Sequence, residues 1–306
     1  MDAVFLFEQA LNGLGYGLML FLLAAGLTLV FGIMDTLNLA HGSLFMAGGY
    51  ISASVHTQTG SFTLAVAVGI VATVALAAVL EAVLVRKLYV RDHLSQVLAT
   101  FGVVLVADDV AKYLWGPSPI MAPTPSALSG AVQLFGFLPY PSYRLLILAA
   151  GLGAALALYV LVNHTRLGMW VRAGASNRAM AQWMGVRVNR VFAVVFAVGA
   201  ALAALAGALL APISAVQVGM GESILIPALV VIVIGGIGSI RGALVASLLV
   251  GLVDTAGRAL LPPLLREVLS PSLAADIGPA VASISMYVLM AGVLVFKPSG
   301  LFPARA

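Results

Sequence analysis

Between Thr36 and Leu80 the chain runs for 45 residues without a single Lys, Arg, Asp or Glu. About 20 apolar residues suffice to cross a bilayer, so this stretch has room for two crossings and none for a solvated surface. Gln9 to Met34, Val191 to Gly221 and Ile277 to Phe296 are also uncharged, over 26, 31 and 20 residues. Only 8% of the 306 residues are charged, where a soluble domain carries roughly a quarter. A compact globule of this length would still expose a large surface that needs charge to stay solvated. The runs therefore predict an all-α, polytopic helical membrane protein. Its hydrophobic segments fall near 10–33, 38–57, 62–85, 94–111, 143–162, 191–213, 223–240, 242–257 and 277–296, giving eight or nine crossings.

The few charges report sidedness. Arg86, Lys87 and Arg91 share one loop, five arginines lie between Arg166 and Arg190, and Lys297 and Arg305 sit in the tail. Loops rich in Lys and Arg stay cytoplasmic. The opposite side receives Lys112, Arg144, Arg258 and Arg266, outnumbered by Asp108, Asp109, Glu222, Asp254, Glu267 and Asp276. The C-terminus is then inside, and the N-terminus, with Asp2 and Glu8, outside. No Lys or Arg precedes Arg86, so the basic start of a secretory leader is missing and the first apolar segment is expected to stay in the mature protein. The net charge of +4 does not point to nucleic acid, because no soluble face gathers the basic residues. With no cysteine, disulfides and thiolate sites are excluded and the redox compartment is not legible.

Two stretches interrupt the apolar pattern: Asp35 to Gly49 (DTLNLAHGSLFMAGG) and Gly235 to Gly242 (GGIGSIRG). Unwound backbone survives at membrane depth only where protein or a water-filled path satisfies it, and broken helices of transporters border their pathways. The stretches also share a pattern, Gly32-Ile33 with Gly236-Ile237 and Gly42-Ser43-Leu44 with Gly242-Ala243-Leu244. That match suggests an internal duplication, with chance in a Gly-, Ala- and Leu-rich chain as the alternative.

The segment 163–190 holds five arginines and no acid, with a helix-compatible core from Asn177 to Met184 stopped by Gly185. Met180, Trp183 and Met184 form an apolar patch at one-turn spacing. Spacing alone leaves two roles open: a helix docking into a partner's groove, or a basic helix lying on anionic lipid.

Other residues carry weaker indications. His41 reads either as a pathway contact with Asn38 and Ser43 or as a ring that bonds a neighbouring carbonyl at the helix break. Asp108 and Asp109 mark an outer helix end beside Lys112, the alternative being a proton relay. Glu81 is placed to pair with Arg86. Glu222 points at the outer mouth or stands in a solvated loop. Gly199, Ala203 and Gly207, and Gly13 with Gly17, recur every four residues and predict close helix packing. His41, His56, His93 and His164 are scattered, and neither a metalloprotease HExxH, a GxSxG elbow nor a Walker lysine loop occurs. No enzyme chemistry, metal or cofactor is indicated.

Three blocks, Asn12 to Tyr50, Asn177 to Leu210 and Gly235 to Gly251, together closely resemble the permease subunits of branched-chain amino-acid ABC importers of the LivH type, and the resemblance spans nearly the whole chain. It implies a single transmembrane permease domain over 1–306 in a bacterial inner membrane. It also implies two ATP-binding-cassette ATPase subunits, a sister permease, and a periplasmic binding protein that delivers the solute. By the same resemblance Asn38, His41, Gly42, Ser43, Gly236 and Gly238 border the translocation path. Asn177, Arg178, Met180, Ala181, Trp183, Met184 and Gly185 belong to the helix on which the ATPase sits. The chain departs from the family where proline is common at Arg241, and where a lysine is common around Ile226 to Ala228. Relatives that move urea or short amides share the three blocks. Two other classes make different predictions: a proton-coupled secondary transporter using Asp108, Asp109 or Glu222, and a structural membrane subunit with no path at all.

Overall fold

The computed structural model describes residues 3–34, 38–89, 91–134, 136, 138–267 and 270–302. Its helices are α1 (Ala3–Met34), α2 (Ala40–Thr59), α3 (Phe62–Leu80), α4 (Arg86–Leu88), α5 (His93–Trp115), α6 (Ser142–His164), α7 (Arg166–Ser176), α8 (Arg178–Trp183), α9 (Val188–Leu210), α10 (Met220–Gly235), α11 (Ile240–Leu265) and α12 (Pro271–Phe296). A π-helical turn, Glu81–Val85, joins α3 to α4. Seven spans among the described residues are long and apolar enough to cross a membrane. The remaining two expected segments are α2, which is more polar, and α10, which has 16 residues. Asp2, Asp35 to Leu37 and Arg305, which figured in the sequence reading, lie outside the described residues.

In hydrocarbon every backbone amide must find its partner within the chain, which makes helices of the apolar runs. Their ends are set by local chemistry. Ser61, Asp92, Thr165, Asn177 and Ser239 each accept a hydrogen bond from a backbone N–H three residues on. The Ser95 hydroxyl and amide hold the Asp92 carboxyl below the usual carboxylate range. Two observations depart from the sequence reading. An antiparallel hairpin, β1 (Ala131–Leu134) with β2 (Leu138–Pro141), stands in the loop before α6. And α11 continues eight residues past the expected end at 257, through Pro262 and Pro263 to Leu265.

α1 is the central helix: Leu20 to Ala25 have no exposed surface. Around it four contacts match under an exchange of α1 with α9, α2 with α10, α3 with α11 and α5 with α12, although the extensive packing of α11 on α12 has no equal between α3 and α5. α1 packs on α11 as α9 packs on α3, α2 on α3 as α10 on α11, α2 on α9 as α10 on α1, and α2 on α5 as α10 on α12. The self-related pairs α1 with α9 and α2 with α10 meet at the centre. Because α1 enters from the side from which α9 leaves, the repeat is inverted. This corrects the register suggested by the glycine words, which would have paired α1 and α2 with α10 and α11. Those words mark helix corners, and similar corners need similar glycines whatever their place in a repeat.

Small residues let the central backbones touch. A Cβ at Gly26 would lie 2.9 Å from the Gly199 carbonyl oxygen, and one at Gly17 would lie 2.6 Å from that of Ser247; one at Gly207 would collide with the carbonyl of Phe45. The glycines expected to pack do so.

At the C-terminal end of α3 the Glu81 carboxylate, 2% exposed, receives Arg86 Nη2 at 2.7 Å and the Tyr89 hydroxyl at 3.0 Å. Burial, then the Glu81 charge, push the Tyr89 phenol far above its ordinary range, so it stays protonated as a donor. Glu81→Gln removes the charge from beneath a half-exposed arginine and is expected to cost on the order of 2 kcal/mol, read as a lower melting temperature of the detergent-purified protein.

Candidate translocation path and docking helix

The first turns of α2 and α10 meet face to face. A Cβ on Gly42 would collide with the carbonyl of Gly221, and one on Gly221 with the carbonyl of Gly42. One residue back, the wholly buried His41 ring fills the notch between Gly26 and Gly199, and neither ring nitrogen has a hydrogen-bond partner among the described residues. Gly199 is the midpoint of α9, about 16 Å from either end at 1.5 Å per residue. The start of α2 is therefore near the centre of the bundle, and α10 also begins within it. The segment leading into α10 is irregular, held by the pairing of Val216 with Ile120 from the loop after α5.

Neighbouring polar groups satisfy the start of α2. Asn38 Oδ1 accepts the Ala40 amide at 3.1 Å, and Thr100 Oγ1 on α5 accepts the Leu39 amide at 3.2 Å. Thr100 in turn donates to the Gln96 carbonyl, and the Gln96 side chain donates to the carbonyls of Leu88 and Arg91. Sequence reasoning missed Gln96 and Thr100. The available sign was two polar residues one turn apart on the stripe that continues to Val104 and Ala111, all four of them buried. The Ser43 hydroxyl and the Asn38 amide nitrogen, both buried, have no partner among the described residues. Glu222 and Ser223 in the first turn of α10 are exposed. Glu222 forms no ion pair among the described residues. The start of α2 thus gathers buried neutral dipoles, with Glu222 exposed beside it at the start of α10.

Gly236 and Gly238 are elsewhere. They adopt φ of 99° and 80° at the corner between α10 and α11, a conformation that favours glycine. Gly236 is pressed under the tail, whose Leu301 and Phe302 amides donate to the carbonyls of Ile234 and Gly235. Gly238 touches Gly32 at the end of α1 and lines a crevice on that side. The six residues expected along a path therefore form two groups, Asn38 to Ser43 and Gly236 with Gly238.

The basic segment folds as two short helices. Asn177 Oδ1 accepts the Met180 amide at 2.9 Å to start α8, and Gly185 at φ 87° ends it, its amide on the Gln182 carbonyl. Ala181 is buried and anchors the helix, while Met180, Trp183 and Met184 are 53, 82 and 79% exposed. Arg178 is turned inward, its guanidinium 4.9 Å from the Phe192 ring centre and 5.9 Å from that of Tyr89. The seven residues expected here form one unit, but Arg178 fastens α8 to the bundle and the apolar triplet faces outward. Asp109 pairs with Lys112 at 3.1 Å on an exposed surface near the end of α5, as its outer-end reading expected.

Residues 9–295 match the family model described as branched-chain amino acid transport system / permease component. Among curated proteins the chain is 28% identical to the high-affinity branched-chain amino acid transport system permease protein LivH of Escherichia coli (strain K12), covering 88% of this chain and 92% of that protein. It is 28% identical to the corresponding protein BraD of Pseudomonas aeruginosa, over 96% and 94%. The ribose import permease protein RbsC of Escherichia coli (strain K12) is 27% identical over 76% and 72%. A solved transporter described as of the metal-chelate ABC type, in an inward-facing conformation, superposes with a TM-score of 0.48 and 17% identity, over 95% of this chain and 85% of that one.

Proposed function

Because the chain belongs to the family of permease components of branched-chain amino acid transport systems, we propose that it is the membrane permease of an ATP-driven importer in a bacterial inner membrane, moving branched-chain amino acids or similar small zwitterions. A periplasmic binding protein captures the solute and delivers it to the outer side. Two ATP-binding-cassette subunits dock from the cytoplasm, and a sister permease completes the pore. The observation that carries this reading is the exposed apolar triplet of α8 on an arginine-rich cytoplasmic segment. Three large apolar side chains standing in water at the end of a capped, anchored helix suit insertion into another protein.

The sister chain packs against the face that exposes Glu222 and Ser223, flanked by α5 and α12, so that the first turns of α2 and α10 line the path. A zwitterion keeps both charges during passage. Backbone amides and hydroxyls at α2 serve its carboxylate, and Glu222 serves its ammonium. Tight capture belongs to the binding protein, since a pore that bound strongly would stall.

The experiment is co-purification of the tagged chain with its neighbours, followed by uptake in vesicles loaded with ATP. P-loop ATPases and a second permease should accompany it, and leucine uptake should need ATP and the binding protein. A chain that purifies alone and drives uptake from a proton gradient sinks the proposal. Within this reading Ser43→Leu narrows the path at its midpoint and is expected to lower uptake at least tenfold at unchanged membrane abundance, an effect of about 1.4 kcal/mol or more on the transport barrier. Normal uptake in this variant would place the path away from α2.

A further inference from the structure

A crevice of about 1020 Å³ opens at the end of the bundle that carries the arginine-rich segment, with α1 at its base, α6 and α11 as walls, and α7 and the tail as its lip. That volume is at the upper end of ordinary small-molecule sites. On the α1 side it is bordered by Phe21, Thr28 and Gly32, spaced seven and four residues apart and so forming one stripe of α1, with Gly32 exposed and the two larger side chains buried beneath the surface. At 100° per residue this stripe is turned away from Gly26, which faces His41 and Gly199. The crevice is thus on the far side of the central helix from the meeting point of α2 and α10, and the solute path does not account for it.

Among the described residues the only charged side chains on its wall are Arg172 and Arg241. Both are held against the same face of α6. Arg172 Nη1 donates to the Val162 carbonyl, and the Arg241 guanidinium stands 5.8 Å from the centre of the Tyr159 ring, one turn earlier. Two like charges fixed on one stripe, with no acid among the described lining residues, favour an anion there. Ser239 caps α11 beside them through the Gly242 amide at 3.1 Å, which brings the positive end of that helix to the same lip. Below the arginines the wall is apolar, with Leu29, Leu158 and Leu244 among the lining residues. There the Thr28 hydroxyl, on a residue 1% exposed, has no partner among the described residues.

We infer that this crevice binds an anionic phospholipid of the inner leaflet, its phosphate between Arg172 and Arg241 and an acyl chain along the apolar wall between α6 and α11. Charge complementarity fixes the headgroup end, because guanidinium forks match phosphate oxygens. Position fixes the rest: a basic pocket between spanning helices on the cytoplasmic side is where acidic headgroups collect, and an apolar slot beneath that pocket has only lipid tails to fill it. A free phosphate would satisfy the arginines but leave the half-buried apolar wall of Val162, Ile240 and Leu244 uncovered. The inference is independent of which solute the permease moves.

The test uses the purified full-length protein in nanodiscs of phosphatidylethanolamine with increasing phosphatidylglycerol, reading melting temperature and, by native mass spectrometry, retained lipid. Wild type should be stabilised saturably and keep phosphatidylglycerol through detergent exchange. The Arg172→Gln/Arg241→Gln variant should need roughly tenfold more of it for the same effect, as expected for losing charge-assisted contacts. Arg241→Gln alone should show an intermediate shift and serves if the double variant folds poorly. Leu244→Trp, which fills the slot and keeps both arginines, should also lower lipid retention. Equal retention by wild type and the arginine variants overturns the inference. So does equal protection by millimolar inorganic phosphate without lipid, which would make the site one for a free anion.

Discussion

Trp183→Ala is expected to weaken ATPase capture by the permease on the order of thirtyfold while leaving the melting temperature of the isolated chain within a degree or two. The indole is 82% exposed and Met180 and Met184 flank it, so truncation removes no intramolecular packing of consequence. A tryptophan at the centre of a small apolar docking patch is the kind of anchor whose loss costs about 2 kcal/mol or more, which is the stated factor. Solute-stimulated ATP hydrolysis should fall with it. Arg178→Glu should act differently. It breaks the stacking on Phe192 and Tyr89 that holds α8 to the bundle, so stability and coupling should fall together. Gly185→Pro belongs with it, since φ of 87° and the amide bonded to Gln182 are both closed to proline. Binding assays on the purified complex separate the classes: an unchanged ATPase affinity in Trp183→Ala would move the docking surface off α8.

The second large effect is expected at the crossing of α2 and α10. In Gly42→Val the new Cβ falls on the Gly221 carbonyl, where the obstacle is backbone and no side chain can swing aside. Neither helix can retreat, since α2 also packs on α3 and α9, and α10 on α1 and α11. Overpacking of this kind costs about 3 kcal/mol, and the protein should lose most of its folded population in the membrane together with its uptake. Gly15→Val is the control, because a Cβ there meets nothing within 4 Å and the change in helix propensity is the same. Equal abundance and equal uptake in the two variants would show that α2 and α10 do not touch in the bilayer.

Several features were legible without the fold because each is local. The nine segments follow from runs of residues whose transfer into lipid is favourable. The start and stop of α8 follow from Asn177 and Gly185, eight residues apart. The close-packing role of Gly199 and Gly207 was readable from their spacing, although not which helices they would meet. The hairpin at Ala131–Pro141 was hidden by its brevity and its prolines. Gln96 and Thr100 were hidden because a polar pair on an apolar helix says nothing about which backbone it serves, and their partners are at Leu39, Leu88 and Arg91.

The sequence by itself determined that this chain lives in lipid and how its segments are laid out. The tertiary structure alone decided which helix is central. α1 and α12 have nearly the same mean hydropathy, 2.1 and 2.0, yet 83% of the α1 window is buried against 11% of that of α12. The physical reason is that lipid tails and protein interiors are equally apolar, so hydrophobicity sets membrane insertion but cannot sort helices between core and periphery. That sorting depends on where backbones can approach closely, at pairs such as Gly26 with Gly199 and Gly42 with Gly221. Each such contact joins residues far apart in the chain, and it exists only once both helices have found each other.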